Sequence, residues 1–259
     1  MNIALIQFDI IWENPQRNRQ NLDSILLDCK DCDMVILPEM FTTGFSMNTK
    51  SIAEPSFGDT FKWMKQKSEE LQTVLMGSVS VFENEKFFNR LYVVGPDQSH
   101  FYDKKHLFTM AKENQHYSAG KKELVVNIKG WKIKPLICYD LRFPLWSRNK
   151  HQKGDYSFDA LVYVANWPAV RSNAWITLLQ ARAIENLAYT IGVNRIGEDA
   201  NGVKYNGSSR AYNFKGLRQD QMDGNEFYLQ KIKWDKSELD KFRENFPSLD
   251  DASEFTLGR

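Results

Sequence analysis

Three side chains of complementary chemistry, a carboxylate, an amine and a thiol, each lie where an apolar segment ends. Glu39 follows the segment MVILP, Lys104 follows HFYD, and Cys138 follows WKIKPLI. A thiolate attacks an amide carbonyl readily, but an isolated thiol is only partly ionised near neutral pH. A nearby ammonium lowers the pKa of a thiol and stabilises an oxyanion, while a carboxylate carries protons from the thiol to leaving ammonia. Together the three residue types suffice for covalent hydrolysis of an amide bond.

Each of these residues also has an ordinary structural explanation. Buried cysteines are mostly small hydrophobic residues, and Lys104 beside Lys105 is typical of a solvated surface pair. A Glu that follows a proline commonly makes a hydrogen bond in a turn. Strand ends of a layered α/β fold often meet at one cleft, so convergence of the three segments would favour catalysis. The spacing alone leaves both explanations open.

Short strands alternate with amphipathic helices along the whole chain. Helices are predicted to begin at Pro15 and to cover Phe57–Leu71, Asn173–Asn186 and Ser237–Phe246. Strands are predicted over Asn2–Phe8, Met34–Leu37, Val74–Val81, Phe87–Val94, His100–Tyr102, Ala160–Val164, Tyr189–Asn194 and Glu226–Lys233, with a hairpin of Glu123–Ile128 and Lys132–Ile137 across Lys129-Gly130, and paired strands in Val203–Asn213 around Asn206-Gly207. The interleaving, without a repeat or a Pro/Gly/Ser-rich linker, predicts one layered α/β domain over residues 1–259.

Composition points to a small partner in the cytoplasm. Lys and Arg number 34 against 33 Asp and Glu, a net charge of +1, so no global field attracts nucleic acid or an anionic membrane. The N-terminus lacks the pattern of a signal peptide, and no apolar run approaches the ~18–20 residues that cross a bilayer. The sequence therefore predicts a cytoplasmic protein that binds a small molecule, with neither nucleic acid nor membrane as a partner.

The other cysteines and the histidines do not form a recognisable metal or cofactor motif. Cys29 and Cys32 make a single CxxC without the second pair that a zinc tetrahedron needs, and the four histidines lack metal-ligand spacing. We therefore expect no metal and no cofactor. A thiol redox protein that uses Cys29 and Cys32 stays an alternative, which would form a reversible disulfide and hydrolyse no amide. His106 as the base for Cys138 is a second alternative.

Three segments around the chemical residues resemble the signature segments of the nitrilase superfamily, the carbon–nitrogen hydrolases. They are LPEMFTTGF (Leu37–Phe45), YDKKHLF (Tyr102–Phe108) and CYDLRFP (Cys138–Pro144), in the order and approximate spacing of that family. ANWP (Ala165–Pro168) and LLQARAIEN (Leu178–Asn186) extend the resemblance to nearly the whole chain. The resemblance implies a four-layer α-β-β-α sandwich and a catalytic triad of Glu39, Lys104 and Cys138.

The same resemblance implies supporting roles for further residues. It selects Lys104 over Lys105 as the catalytic lysine and makes His106 a supporting residue. It makes Glu113, in KENQHYSAG, the residue that positions Lys104 and the substrate, although an exposed loop charge is the ordinary explanation. The backbone N–H of Tyr139, directly after the nucleophile, should complete the oxyanion hole.

The sequence after the nucleophile resembles that of amidases, and above all that of bacterial omega-amidases. Nitrilases carry a Trp-Glu segment there, whereas this chain has Tyr139–Pro144, and Trp-Pro-x-x-Arg follows at Trp167–Arg171. The resemblance implies hydrolysis of the ω-amide of small 2-oxo dicarboxylic acid monoamides, of the α-ketoglutaramate type, through a thioester on Cys138. An N-carbamoyl hydrolase, a nitrile hydrolase and a non-catalytic metabolite-binding protein on the same fold are the alternatives.

An anionic substrate requires a cation in the pocket. Arg171 is our first candidate, since a guanidinium binds a carboxylate in a fork. Arg142 is a rival, which we interpret as part of a buried structural ion pair. Phe45 and Trp167 either wall the pocket or belong to the core. The resemblance also implies a homodimer packed through helices, with a helix over Leu145–Gln152 as the candidate surface.

Overall fold

The computed structural model describes residues 1–152, 155–253 and 256, in which two β-sheets face each other with helices outside them. The strands are β1 (Asn2–Gln7), β2 (Met34–Ile36), β3 (Glu54–Pro55), β4 (Val74–Glu83), β5 (Lys86–Val94), β6 (Ser99–Asp103), β7 (Val126–Ile128), β8 (Trp131–Ile137), β9 (His151–Gln152), β10 (Asp155–Tyr156), β11 (Ala160–Ala165), β12 (Tyr189–Asn194), β13 (Ile196–Glu198), β14 (Lys204–Asn206), β15 (Arg210–Tyr212) and β16 (Tyr228–Lys233). The α-helices are α1 (Pro15–Leu26), α2 (Thr49–Ile52), α3 (Asp59–Leu71), α4 (Glu113–His116), α5 (Ser172–Asn186) and α6 (Lys236–Asn245). Short 3₁₀ helices cover Leu27–Cys29, Thr109–Ala111, Cys138–Arg142 and Ala169–Arg171.

The first sheet has the strand order β16-β1-β2-β4-β5-β6, with β3 beside β4. Its inner strands β1, β2 and β4 are parallel, and the other neighbours along this order are antiparallel. Successive side chains of a strand point to opposite faces. Ile3 and Leu5 of β1 accordingly pack between the two sheets, whereas Ala4 and Ile6 pack with Leu22 of α1 and the apolar side of α3. One sheet is thus covered by helices on its outer face.

The second sheet has the order β15-β12-β11-β8-β7, with β8, β11 and β12 parallel. Helix α5 packs directly on it at Gly192 of β12, where an added Cβ would lie 2.4 Å from Leu179 and 2.5 Å from Trp175. This close approach places a helix layer on the second sheet. The predicted four-layer α-β-β-α sandwich is confirmed.

Two of the local predictions have a clear physical basis in the structure. Helix α1 begins at Pro15, and the side chain of Asn14 caps it by accepting a hydrogen bond from the backbone N–H of Arg17 at 3.1 Å. The hairpin of β7 and β8 turns at Lys129 and Gly130, whose φ angles of 49° and 83° are both left-handed. Both predictions are confirmed, with strand ends shifted by a few residues.

The helix predicted over Leu145–Gln152 is wrong. Residues 144–147 form turns, and the segment ends in the two-residue strand β9. Tertiary hydrogen bonds override its helical pattern, because the Asn149 side chain binds the backbone carbonyls of Phe158 and Asn186 at 2.9 and 3.0 Å. The surface expected to carry the dimer helix is therefore not helical.

The hairpin predicted around Asn206-Gly207 is also wrong. Strand β14 pairs with β13, whereas β15 pairs with β12 in the second sheet. Gly207 has φ of +63° and lies against Gln7, since an added Cβ would meet the Gln7 side chain at 2.2 Å. Gln7 also accepts hydrogen bonds from the backbone N–H and hydroxyl of Ser209, at 3.1 and 2.8 Å. These contacts with β1 separate the two strands.

Candidate active site

Glu39, Lys104 and Cys138 converge on one cavity of about 900 Å³. Glu39 lies just after β2, Lys104 directly after β6, and Cys138 directly after β8, so both sheets contribute to the cluster. The Glu39 and Lys104 side chains are each 1% exposed. The structural explanations for the separate residues therefore fail for Lys104, which is not a surface residue, and the predicted meeting of the three segments is found.

The Glu39 carboxylate is held by donors on both of its oxygens. Its Oε1 accepts a hydrogen bond from Lys104 Nζ at 2.8 Å, and its Oε2 accepts one from the backbone N–H of Asn166 at 2.8 Å. The Asn166 side chain also donates to the Glu39 backbone carbonyl at 2.5 Å. The carboxylate has no freedom to leave the cluster without breaking several hydrogen bonds.

Two residues of this cluster were missed by sequence reasoning. Asn166 belongs to the ANWP segment that extends the family resemblance, which is a signal that it occupies a special place. Asn89, in the middle of β5, donates from Nδ2 to Glu39 Oε1 at 2.7 Å and is 3.3 Å from Glu113 Oε1. A polar residue inside a strand gives no sequence signal of which carboxylate it will meet.

Glu113 is fully buried and lies on the other side of Lys104. Both of its carboxylate oxygens are 3.0 Å from Lys104 Nζ, and Oε2 also accepts from the backbone N–H of Phe108 at 2.6 Å. The explanation of Glu113 as an exposed loop charge is therefore wrong. Burial lowers the pKa of Lys104, but Glu113 and Glu39 raise it by more, so Lys104 keeps its positive charge. Burial raises the pKa of Glu113, against the opposing effect of Lys104.

The turn that carries Cys138 is held in place by hydrogen bonds to the Asp140 carboxylate. Cys138 has φ of +44°, an unfavourable left-handed value for a residue with a side chain, and opens the 3₁₀ helix Cys138–Arg142. The buried Asp140 carboxylate accepts hydrogen bonds from the backbone N–H of Ile137, from the Tyr102 hydroxyl at 2.8 Å and from the backbone N–H of His106. His106 Nδ1 also lies 2.7 Å from Asp140, and its ring stacks on Phe143. His106 thus supports the nucleophile turn through Asp140.

The surroundings of the Cys138 thiol raise its pKa. Its burial raises its pKa well above the ordinary value, Glu39 raises it further, and Lys104 opposes both. Lys104 lowers the pKa of the thiol, as expected of a nearby ammonium, but burial and the Glu39 carboxylate outweigh it.

This electrostatic balance predicts the titration of Cys138. A raised thiol pKa means that the thiolate forms only above the ordinary range, so we expect no thiolate from Cys138 at about pH 8 or below. The measurement is the ultraviolet absorbance of thiolate against pH, taken as the difference between the protein and a Cys138→Ala variant. A full thiolate signal that appears below neutral pH would contradict this prediction.

Arg142 does not form the buried ion pair that we expected. Its side chain is exposed and lines the cavity, with the guanidinium 5.3 Å from the ring centroid of Trp167. The buried carboxylate near it, Asp140, is already occupied by His106 and Tyr102. The structural interpretation of Arg142 is therefore wrong, and the side chain faces the same space as Cys138.

Arg171 also lines the cavity. Its guanidinium lies over the ring of Phe108 at 5.5 Å, and Nη2 is 4.0 Å from the sulfur of Met110. Within the described ranges, neither Arg171 nor Arg142 lies within ion-pair distance of a carboxylate. Two cations at one cavity are thus available to an anionic ligand.

Phe45 and Trp167 belong both to the cavity wall and to its packing. Phe45 is half-buried, with its ring centroid 5.0 Å from Lys104 Nζ. Trp167 is 3% exposed, packs against Trp175, and donates from Nε1 to the backbone carbonyl of Arg171 at 2.9 Å. Trp167 therefore fixes the backbone from which Arg171 extends.

Cys29 and Cys32 lie away from this cavity. Both are buried free thiols in the apolar layer between the first sheet and its helices. Over the part of the chain that the structure describes, no cluster of His, Cys, Asp and Glu side chains is arranged to hold a metal ion. Within the same ranges, every helix is too short or too polar to cross a membrane.

The fold and the site define the class of protein. The structure matches XC1258 from Xanthomonas campestris, a CN-hydrolase superfamily protein with an arsenic adduct in its active site, with a TM-score of 0.97 and 38% identity over 100% of this chain and 99% of that one. The family model for carbon-nitrogen hydrolase matches residues 2–229, and the chain belongs to this family of hydrolytic enzymes. The predicted membership of the nitrilase superfamily is confirmed.

Two relatives are similar in sequence to this chain over almost their whole length. The chain is 41% identical over 260 residues to omega-amidase YafV of Escherichia coli (strain K12), and the alignment covers 99% of this chain and 98% of the relative. It is 31% identical over 254 residues to 2-oxoglutaramate amidase of Bacillus subtilis (strain 168), with 96% of each chain covered. Both relatives are named as amidases.

Proposed function

We propose that this protein is an omega-amidase that hydrolyses the ω-amide of small 2-oxo dicarboxylic acid monoamides and releases ammonia. The observation that carries the proposal is the composition of one cavity, which holds Cys138, Glu39 and Lys104 together with the guanidinium groups of Arg142 and Arg171. The thiol cluster fits amide hydrolysis, and the cations fit a substrate that carries a carboxylate. The names of the relatives in Escherichia coli and Bacillus subtilis support the same substrate class.

The first half-reaction forms a thioester. Glu39 takes the thiol proton as the Cys138 sulfur attacks the amide carbon, so a high resting thiol pKa is no obstacle. The tetrahedral oxyanion is stabilised by the Lys104 ammonium and by the backbone N–H of Tyr139. Tyr139 lies in the first turn of a 3₁₀ helix, where backbone N–H groups lack an intrahelical acceptor. Glu39 then donates its proton to the leaving nitrogen, and the C–N bond breaks to release ammonia.

The second half-reaction hydrolyses the thioester with the same groups. Glu39, again a carboxylate, takes a proton from water as the water oxygen attacks the thioester carbon. Collapse of the second tetrahedral intermediate breaks the C–S bond, and the proton returns from Glu39 to the Cys138 sulfur. Glu113 holds Lys104 in place throughout, through the two contacts of 3.0 Å.

Recognition of the substrate carboxylate is assigned to the two arginines. We expect Arg171→Ala to lower kcat/KM for an ω-amide of a 2-oxo acid by about 10–100-fold, because a charge-assisted, two-pronged contact is lost. A neutral amide of the same length should change by no more than about threefold. The measurement is ammonia release with both substrates, with Arg142→Ala assayed in parallel to apportion the effect.

Lys204→Ala provides the matched control for this test, since Lys204 is an exposed cation that also lines the cavity. Its removal changes the local charge by the same amount without removing a guanidinium. If the preference of Arg171→Ala for acidic amides equals that of the wild type, the assignment of Arg171 is wrong. If only Arg142→Ala lowers kcat/KM for the acidic amide, Arg142 is the residue that binds the substrate carboxylate.

The substrate class itself is tested by a screen for ammonia release. The panel contains ω-amides of 2-oxo acids, ω-amides of amino acids, N-carbamoyl amino acids and simple nitriles. We expect the highest kcat/KM with an ω-amide of a 2-oxo dicarboxylic acid such as 2-oxoglutaramate. Preferred turnover of an N-carbamoyl compound would make the protein a carbamoyl hydrolase with the same thiol chemistry.

Three expectations from the sequence stay predictions. They are the single domain over residues 1–259, the cytoplasmic location and the homodimer. The homodimer no longer has an assigned surface, because residues 145–152 are not helical.

A further inference from the structure

The two oxygens of the Glu39 carboxylate are in different environments. Two side-chain donors occupy Oε1, namely Lys104 Nζ at 2.8 Å and Asn89 Nδ2 at 2.7 Å. Only the backbone N–H of Asn166 is bonded to Oε2, at 2.8 Å, among the described residues. One oxygen is thus saturated and the other keeps a lone pair for a further proton donor.

The oxygen with a free lone pair is the one bound by Asn166, a residue that also contacts the nucleophile. Asn166, whose N–H binds Oε2, also brings its backbone carbonyl to 4.0 Å from the Cys138 sulfur. Oε1 instead points at Lys104 and at Asn89, whose Nδ2 lies 3.3 Å from Glu113 as well. The contacts therefore separate a fully occupied oxygen from one that can accept a further donor.

Asn89 is the uncharged member of this arrangement. It is 0% exposed, and its backbone carbonyl accepts from the backbone N–H of Lys104 at 2.9 Å. Its amide nitrogen faces two carboxylates, an orientation that electrostatics favours over a carbonyl oxygen in the same place. Its Oδ1 is buried without a hydrogen-bond partner among the described residues. Leaving a buried acceptor unpaired opposes folding, so the site rather than stability accounts for an amide here.

We propose that Asn89 is a positioning residue that occupies Glu39 Oε1 and thereby leaves Glu39 Oε2 to exchange protons with Cys138 and the substrate. This inference rests on the thiol–carboxylate mechanism of the proposed function. Loss of the Asn89 donor would remove one of the hydrogen bonds that stabilise the ionised carboxylate, which favours its protonated form. A protonated Glu39 cannot accept the thiol proton, so the acidic limb of the activity profile moves to higher pH.

The test compares Asn89→Leu, which has nearly the same size but no donor, with Asn89→Ser, which is smaller and keeps a hydroxyl. We expect Asn89→Leu to lower kcat by about 10–100-fold with KM changed by less than about threefold, and to move the acidic limb up by about one pH unit. Asn89→Ser should show a smaller shift in the same direction. If Asn89→Leu does not fold, as judged by circular dichroism, the sign of the Asn89→Ser shift decides.

Alkylation of Cys138 by iodoacetamide gives a second readout that does not depend on the substrate. Its rate against pH, followed by mass spectrometry of the Cys138 peptide, should show the same displaced limb in both Asn89 variants. Asn149→Leu is the matched control, because Asn149 is also a buried asparagine but donates to the backbone carbonyls of Phe158 and Asn186 instead of to Glu39. It should alter thermal stability without moving the limb.

The two possible failures are distinguishable. If the acidic limb of the pH profile lies at the wild-type pH in both Asn89 variants, the role of Asn89 is overturned while the mechanism stands. A lower kcat without a shift of this limb has the same meaning. If Glu39→Gln leaves the alkylation profile of wild-type Cys138 unchanged, the thiol–carboxylate mechanism fails, and this inference fails with it.

Discussion

Cys138→Ala is expected to lower kcat for amide hydrolysis by about 10⁴-fold or more. The reason is that the thiol is the nucleophile of the proposed reaction, and no other cysteine lines the described cavity. None of the contacts of Lys104 with Glu39 and Glu113 involves Cys138, so the substrate should still bind to this variant. The measurement is steady-state ammonia release from 2-oxoglutaramate, together with the affinity of the variant for the same substrate by calorimetry.

Cys32→Ala is the matched control for this prediction. Cys32 is a buried free thiol in the outer apolar layer of the first sheet, so its loss tests a generic effect of removing a cysteine. We expect activity within about twofold of the wild type, since the cavity is untouched. Retained turnover in Cys138→Ala would refute the covalent mechanism. Loss of turnover in Cys32→Ala without unfolding would mean that the effect of removing a cysteine is not specific to Cys138.

Glu39→Gln is expected to lower kcat by about 10³-fold with KM changed by only a few-fold. The amide has the shape of the carboxylate and can still accept from Lys104, but it cannot take the thiol proton, pass it to ammonia or activate water. Both half-reactions lose their base in one substitution. The measurement is pre-steady-state ammonia release, in which the variant should show neither a burst nor an appreciable steady rate.

A second cavity carboxylate provides the control. Glu13 lines the outer part of the cavity and accepts hydrogen bonds from Ser46 at 2.5 Å and Asn48 at 3.3 Å. Glu13→Gln removes the same charge without touching Lys104, and its kcat should stay within about threefold of the wild type. Equal losses in the two variants would mean that cavity charge, rather than a specific base, drives the reaction.

The reactive residues could be predicted from sequence because of where they occur. Glu39, Lys104 and Cys138 each end a strand or follow one closely, and the ends of strands in a layered sheet fold meet at one place. Their residue types alone define the chemistry. The resemblance of the segment YDKKHLF to the family's signature then selects Lys104 over Lys105.

The groups that tune the site could not be predicted in the same way. Asn89 lies in mid-strand and meets Glu39, which is 50 positions away in sequence. Arg142 follows the nucleophile by four positions, but the 3₁₀ turn decides that it faces the cavity while Asp140 is buried. The pKa of Cys138 depends most on burial, which cannot be predicted from the charged residues in the sequence.

The two wrong fold predictions have the same origin. The segments 145–152 and 203–213 carry patterns that are reasonable locally, yet Asn149 and Gly207 are held by residues from other elements. Gln7, which meets Ser209, is separated from it by 202 positions. Tertiary contacts of this range override local propensity and leave little trace in the segment itself.

The most direct test of the proposed mechanism is to trap the intermediate. The protein is mixed with 2-oxoglutaramate, quenched with acid during turnover, and digested for mass spectrometry. The proposed mechanism predicts a labile acyl group, equal to the substrate less ammonia, on the peptide that contains Cys138, and none in Cys138→Ala. Full turnover with an unmodified Cys138 peptide, or an acyl group on another residue, would contradict it.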